Sequence, residues 1–217
     1  KFGISYKRAR EVYRRIAQLP NIEAVGVDMH IGSQITDLEP FGNAFGLMAE
    51  LVTELRADGH NIEHIDVGGG LGIPYNHDSE APPHPEAYAA VVRDKVGQLG
   101  CALVIEPGRL LVGNAGILVT RVEYVKKGDK DFVIVDAAMN DLLRPTLYEA
   151  HHDIQPVNPS NLPPITGDIV GPVCETGDYL AKDRTIAGVE EGDLLAVMSA
   201  GAYGAVMAST YNSRPLI

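Results

Sequence analysis

Three consecutive glycines, Gly68, Gly69 and Gly70, follow the apolar run "HIDV", and Gly72 comes two residues later. A backbone stripped of side chains in this way lets another group approach closely. Two further segments share the placement: "HIGS", carrying His30 and Ser33, and "EPGR", carrying Glu106, Gly108 and Arg109. Each sits just past a short apolar run, where parallel α/β proteins build their ligand sites. A dinucleotide fingerprint fails on spacing, because the last position counted from Gly68 and Gly70 is Ile73, and no P-loop Gly-Lys-Ser/Thr follows. What the glycines still allow is a nest of N–H groups around one phosphate. A tight strand-to-helix turn is the alternative. Histidines occur four apart at His60 and His64 and adjacent at His151 and His152, but none ends a strand beside a carboxylate, so a metal centre is not expected.

The surrounding pattern says what positions these segments. "YKRAREVYRRIAQL" places Ala9, Val12, Tyr13, Ile16 and Leu19 on one helical stripe. "FGNAFGLMAELVTELRADGH" repeats the step, with Gly59 as its C-terminal cap. "PEAYAAVVRDKVGQLG" is a third helix opened by Pro85. The apolar runs between them complete a βαβαβ alternation and predict a parallel sheet. From Gly113 the character changes. "GILVTRVEYVKKGDKDFVIVDAA" reads as a hairpin, "IQPVNPSNLPPITGDIVGP" as a Pro-rich connector, and "DRTIAGVEEGDLLAVMSAGAYG" as further short strands around a Glu-Gly-Asp turn. The expected organisation is an α/β part over residues 1–112 and a mostly β domain over 113–217.

Composition narrows the partners. The 217 residues are 45% hydrophobic and 22% charged, as in a soluble globular protein, and the net charge of −11 opposes nucleic-acid binding. No apolar run reaches the length of a membrane span. Two cysteines, Cys101 and Cys174, with neither a CxxC pair nor a secretory signal, indicate a reducing, cytoplasmic setting.

Seven segments then occur in order: "KFGI", "HIGSQ", "DVGGGLGIPY", "EPGR", "DAAMNDLLRPTLY", "GPVCETGD" and "GAYGAVMASTYNSRP". Together they resemble the fold-type III pyridoxal-phosphate decarboxylases that act on ornithine, diaminopimelate or arginine. "HIGSQ", "RPTLY" and "CETGD" look most like the diaminopimelate branch. The resemblance implies the last strands of an alanine-racemase-like (β/α)8 barrel, followed by a mostly β domain incomplete at its C-terminus. It also implies pyridoxal 5'-phosphate as cofactor, an amino-acid substrate, and a homodimer whose subunits share their sites. The implied reaction converts meso-2,6-diaminopimelate to L-lysine and CO2 as the last step of lysine biosynthesis.

Roles follow by the same resemblance. Glu106 would face the pyridine nitrogen, or else pair with Arg109 for structure alone. His30 would stack on the ring, or be a half-buried core histidine. Ser33, Gly68, Gly69, Gly70 and the backbone at Gly108 and Arg109 would cradle the phosphate. Arg109, Arg144 and Tyr148 are implied for the distal carboxylate, Glu175 for the distal ammonium, and Tyr203 for closing over the cofactor. The plainer readings are a surface position for Arg144 and a core position in a Gly-flanked strand for Tyr203. Cys174 would return a proton to the α-carbon.

One element of the pattern is missing. The family's Schiff-base lysine belongs to an early barrel strand, upstream of "KFGI". Lys7 and Lys95 fall on helices, Lys126, Lys127 and Lys130 on the hairpin turn, and Lys1 at a strand start; Lys182 is the only other lysine. None has the desolvated barrel-interior setting that imine chemistry needs. The expectation is the middle of a longer enzyme; the alternatives are an inactive truncated chain and an ornithine- or arginine-type enzyme. A binding-only relative would be expected to lack Cys174 or the glycines, and both are present.

Overall fold

The computed structural model describes residues 2–76 and 81–217, so Lys1, expected at a strand start, lies outside the described residues. The chain forms two compact units. One comprises residues 2–72 and Ala81–Gly108; the other comprises residues 73–76 and Arg109–Ile217.

The first unit alternates α1 (Tyr6–Ile16), β1 (Gly26–Asp28), α2 (Glu39–Ala57), β2 (His64–Asp66), α3 (Pro85–Val96) and β3 (Ala102–Val104). The strands pair in parallel in the order β1-β2-β3, with Val27, Ile65 and Leu103 in register. Register alone therefore brings the segments after Asp28, Asp66 and Val104 to one end of the sheet. Of the expected stripe of α2, Phe41, Phe45, Met48, Leu51, Val52 and Leu55 are buried and Ala44 is half-buried, with Tyr88 of α3 edge-on to Phe41 at 5.1 Å. Gly59 ends this helix as anticipated, at φ 95°, while its N–H reaches Arg56 O and that of His60 reaches Leu55 O, both at 3.0 Å. This is the Schellman arrangement. The stripe of α1 fares less well, because only Ala9 is buried. Tyr6 stays exposed beside Ile4, Ile31 and Leu47, along an apolar groove of about 380 Å³. At β3 every residue is exposed, and among the described residues neither β1 nor β3 has a strand on its outer side.

The chain leaves the first unit within α4 (Gly108–Val112). The second unit contains β4 (Leu118–Lys126), β5 (Asp131–Val135), α5 (Arg144–Tyr148), β6 (Ile154–Pro156), β7 (Ile165–Val170), β8 (Tyr179–Ile186) and β9 (Leu194–Val197). They form one sheet in the order β6-β9-β4-β5-β7-β8, antiparallel except between β5 and β7. The predicted β4–β5 hairpin is present, its turn tied by Lys127 to Asp131 at 2.9 Å. One expectation needs correction. The Pro-rich connector contains β6 and β7, and Pro156 is tolerated because β6 is an edge strand, where a missing N–H costs nothing. "RPTLY" forms the short helix α5, with Pro145 in its first turn. Val122, Val133, Val135, Leu142, Ile169, Leu180, Leu195 and Val197 form a fully buried core. Burying each such side chain contributes about 1.5–3 kcal/mol. Among the described residues no helix is long and apolar enough to cross a membrane.

Candidate active site

In the first unit the glycine run lies between the two neighbouring strand ends. A Cβ on Gly68 would stand 2.3 Å from Met29 O, one on Gly69 2.1 Å from Glu106 O, and one on Gly70 2.3 Å from Gly32 O. Gly68 and Gly70 also have φ values of 70° and 95°. So the glycines are required first by main chain packed on main chain. Their donors are a separate matter. Gly68 N–H is taken by Asp66 Oδ1 at 2.8 Å, but among the described residues the N–H groups of Gly69 and Gly70 have no acceptor. Two adjacent amide donors left open beside a cradle without side chains fit a phosphate. Gly108 differs, since a Cβ there would meet nothing within 4 Å.

Carboxylates gather at the same end of this sheet. Oxygens of Asp28, Asp66 and Glu106 lie within 4.8 Å of one another, one from each strand end. Such a group favours a cation, and a protonated pyridine nitrogen is one. His30 and Ser33 follow β1 and are both exposed, so His30 is not a core histidine.

The second unit collects the cationic residues. Arg109 Nη1 donates to Tyr75 Oη at 2.5 Å, and its guanidinium lies 4.7 Å from the Tyr203 ring centroid. The Arg144 guanidinium lies 4.3 Å over the Tyr75 ring. One aromatic ring therefore lies within cation–π range of both arginines, the nearer being Arg144. Arg144 is 7% exposed, which removes the surface reading, and it has no carboxylate partner among the described residues. Burial lowers its pKa from the ordinary value; the Tyr75 hydroxyl opposes that shift and the charge of Arg109 adds to it. A guanidinium so placed remains charged at neutral pH and is suited to an anion. Tyr148 and Tyr203 also act on Arg144 electrostatically. Both are exposed, and Tyr203 occupies a left-handed backbone position (φ 57°) beyond the end of β9, not a strand.

Between β7 and β8 the segment 171–178 carries Cys174 and Glu175, both exposed. Buried Asp178 organises it, accepting Met139 N–H through Oδ1 and Val173 N–H through Oδ2, each at 2.6 Å. Glu175 Oε2 accepts from Tyr211 Oη at 3.2 Å. The described lysines are elsewhere: Lys7 on α1, Lys95 on α3, Lys126, Lys127 and Lys130 at the β4–β5 turn, and Lys182 on β8.

Three participants carry no role in the sequence reading. Tyr75 lies inside the quoted "DVGGGLGIPY", yet nothing local marks its ring as the shared support of two arginines. His152 registers there only as half of a histidine pair. Asp178 is visible in "CETGD", but its N–H partners are not.

Residues 12–201 match the family model described as pyridoxal-dependent decarboxylase, C-terminal sheet domain. The chain is 57% identical over 215 residues to a diaminopimelate decarboxylase of Neisseria meningitidis serogroup A, covering 99% of this chain and 52% of that protein. It is 54% identical over 215 residues to that of Pseudomonas aeruginosa, covering 99% and 51%. The crystal structure of diaminopimelate decarboxylase from Helicobacter pylori complexed with L-lysine superposes with a TM-score of 0.93 at 42% identity, covering 100% of this chain and 54% of the other. The chain spans about half the length of the curated relatives it matches.

Proposed function

The chain belongs to the pyridoxal-dependent decarboxylase family, and from that premise we propose that it is part of an enzyme converting meso-2,6-diaminopimelate to L-lysine and CO2. The observation that carries the substrate assignment is the pair of arginines on one tyrosine ring, Arg144 being buried without a carboxylate of its own. Diaminopimelate has a second carboxylate for such a pair to bind; ornithine and arginine do not.

The cofactor, when bound, supplies an electron sink for the pair left behind as the carboxylate departs. The N–H groups of Gly69 and Gly70, with Ser33 and the backbone at Gly108 and Arg109, would hold its phosphate. His30 would stack on the ring, and Glu106 would keep the ring nitrogen protonated. Arg109, Arg144 and Tyr148 would bind the distal carboxylate in a forked, bidentate manner, Glu175 would take the distal ammonium, and Tyr203 would close over the bound group. The α-carbon loses CO2 and gains one proton, which Cys174 would donate from its thiol. The lysines of this chain are assigned no part in holding the cofactor. The proposed setting is a cytoplasmic homodimer with the Cys174 segment serving the neighbouring subunit's site.

The test is CO2 release by the full-length, cofactor-loaded enzyme from meso-diaminopimelate and, side by side, from ornithine and arginine. Release from diaminopimelate alone is expected. A faster rate on ornithine or arginine overturns the substrate assignment.

A further inference from the structure

His152 is fully buried, and both of its ring nitrogens are engaged. Its Nδ1 lies 2.8 Å from Met198 O, and its Nε2 lies 2.8 Å from Arg144 Nη1. A carbonyl oxygen can only accept, so Nδ1 carries the ring proton. A guanidinium can only donate, so Nε2 offers its lone pair to Arg144. The two partners thus select one neutral tautomer between them. The main chain is pinned as well, because Arg184 Nη1 donates to His152 O at 2.9 Å. The Tyr75 ring stands edge-on to the imidazole at 5.3 Å while its face supports the Arg144 guanidinium. Among the described residues, the bond from Nη1 to His152 is the only hydrogen bond that the Arg144 side chain makes.

We propose that His152 is a positioning residue for substrate selection: its Nε2 fixes the plane and direction of the Arg144 guanidinium before a carboxylate arrives. The inference rests on the reading of Arg144 as a carboxylate-binding residue. An arginine on a flexible stem loses much of its rotamer freedom when it grips a ligand, and fixing it beforehand removes that loss from the binding step. Using a neutral histidine as the acceptor matters. A carboxylate in its place would neutralise Arg144 and compete with the ligand, whereas imidazole orients the cation and leaves its charge available.

The chemistry supplies a discriminating test, because a diaminopimelate decarboxylated at one centre keeps the carboxylate of the other. L-Lysine therefore still presents the group that Arg144 would bind, and 1,5-diaminopentane presents none. In the full-length holoenzyme, His152→Leu preserves bulk but removes the acceptor, and His152→Gln can return an acceptor oxygen. His152→Leu is expected to raise KM for diaminopimelate and Ki for L-lysine together by about 10- to 100-fold, the usual span for losing a hydrogen bond to a charged group. Meanwhile kcat and Ki for 1,5-diaminopentane stay within about threefold, and His152→Gln recovers most of the loss. A general packing lesion would instead weaken both inhibitors alike or depress kcat, and either result overturns the proposal. Independently of turnover, 15N-histidine spectra should show His152 protonated at Nδ1 with a hydrogen-bonded, unprotonated Nε2. A proton on Nε2 overturns the proposal. Should the wild-type enzyme release no CO2 from diaminopimelate, the functional reading falls, and the spectrum still decides whether His152 orients Arg144.

Discussion

The backbone N–H of Val173 donates to Asp178 Oδ2 at 2.6 Å, closing the loop that presents Cys174 and Glu175. The other oxygen of the same carboxylate holds Met139. Burial raises the Asp178 pKa, and the two N–H donors oppose that shift. The sign follows: with the folded value above the unfolded one, the contribution is fully present below pH 3.8 and is lost as pH rises through the raised folded value. Asp178→Asn should abolish that slope. It should also leave one N–H facing an amide NH2, costing about 1–3 kcal/mol. Thermal denaturation of both proteins from pH 3.5 to 7 reads both effects, and an unchanged slope would refute the assignment.

His152 works in the opposite direction. Burial depresses its pKa from 6.5 to about 4, so its stabilising contribution is complete above pH 6.5 and disappears as pH falls through about 4. The shift corresponds to about 3 kcal/mol at most. His152→Gln should therefore be less acid-sensitive than wild type between pH 6.5 and 4, as judged by the difference in denaturation midpoints. Parallel curves would contradict this.

Gly69 and Gly108 should separate folding from cofactor binding. Gly69→Ala drives a methyl into Glu106 O and should destabilise the protein by about 1–3 kcal/mol or more. Gly108→Ala has open space, so its stability should stay within about 0.5 kcal/mol of wild type. If the backbone at 108 borders the phosphate, Gly108→Ala should nevertheless bind pyridoxal phosphate about tenfold more weakly, measured by cofactor absorbance during dialysis.

Cys174 is exposed, so its replacement by alanine should leave the denaturation midpoint unchanged. As the proposed proton donor its loss should lower kcat about 10²- to 10⁴-fold. A kcat within threefold of wild type would remove Cys174 from the mechanism.

How far these features were legible in the sequence depended on the range over which their causes act. The α2 stripe, Gly59 and Pro85 are local: period, cap and first turn each involve residues within one helix. Gly68, Gly69 and Gly70 stand out as glycines, but the atoms that exclude a side chain belong to Met29, Glu106 and Gly32, on other strand ends. The plain look of His152 hid its use, since its two partners lie on α5 and beyond β9. In the Pro-rich stretch, prolines masked β6 and β7 because position within the sheet, edge or interior, is decided by pairing rather than by composition. The stripe on α1 overstated burial, because an amphipathic pattern specifies which face seeks cover and not whether cover is present.

The three-stranded sheet of the first unit carries a practical consequence. Leu103 and Val104 are exposed on β3 and Ile105 just beyond it, and β1 and β3 both present unpaired main-chain groups among the described residues. Two open rims with apolar side chains are templates for adding strands. A sample consisting of these 217 residues alone should accordingly self-associate as its concentration rises, and light scattering against dilution would show it. Charged substitutions at Leu103 and Ile105 should suppress that association while leaving the β4–β9 sheet of the second unit intact.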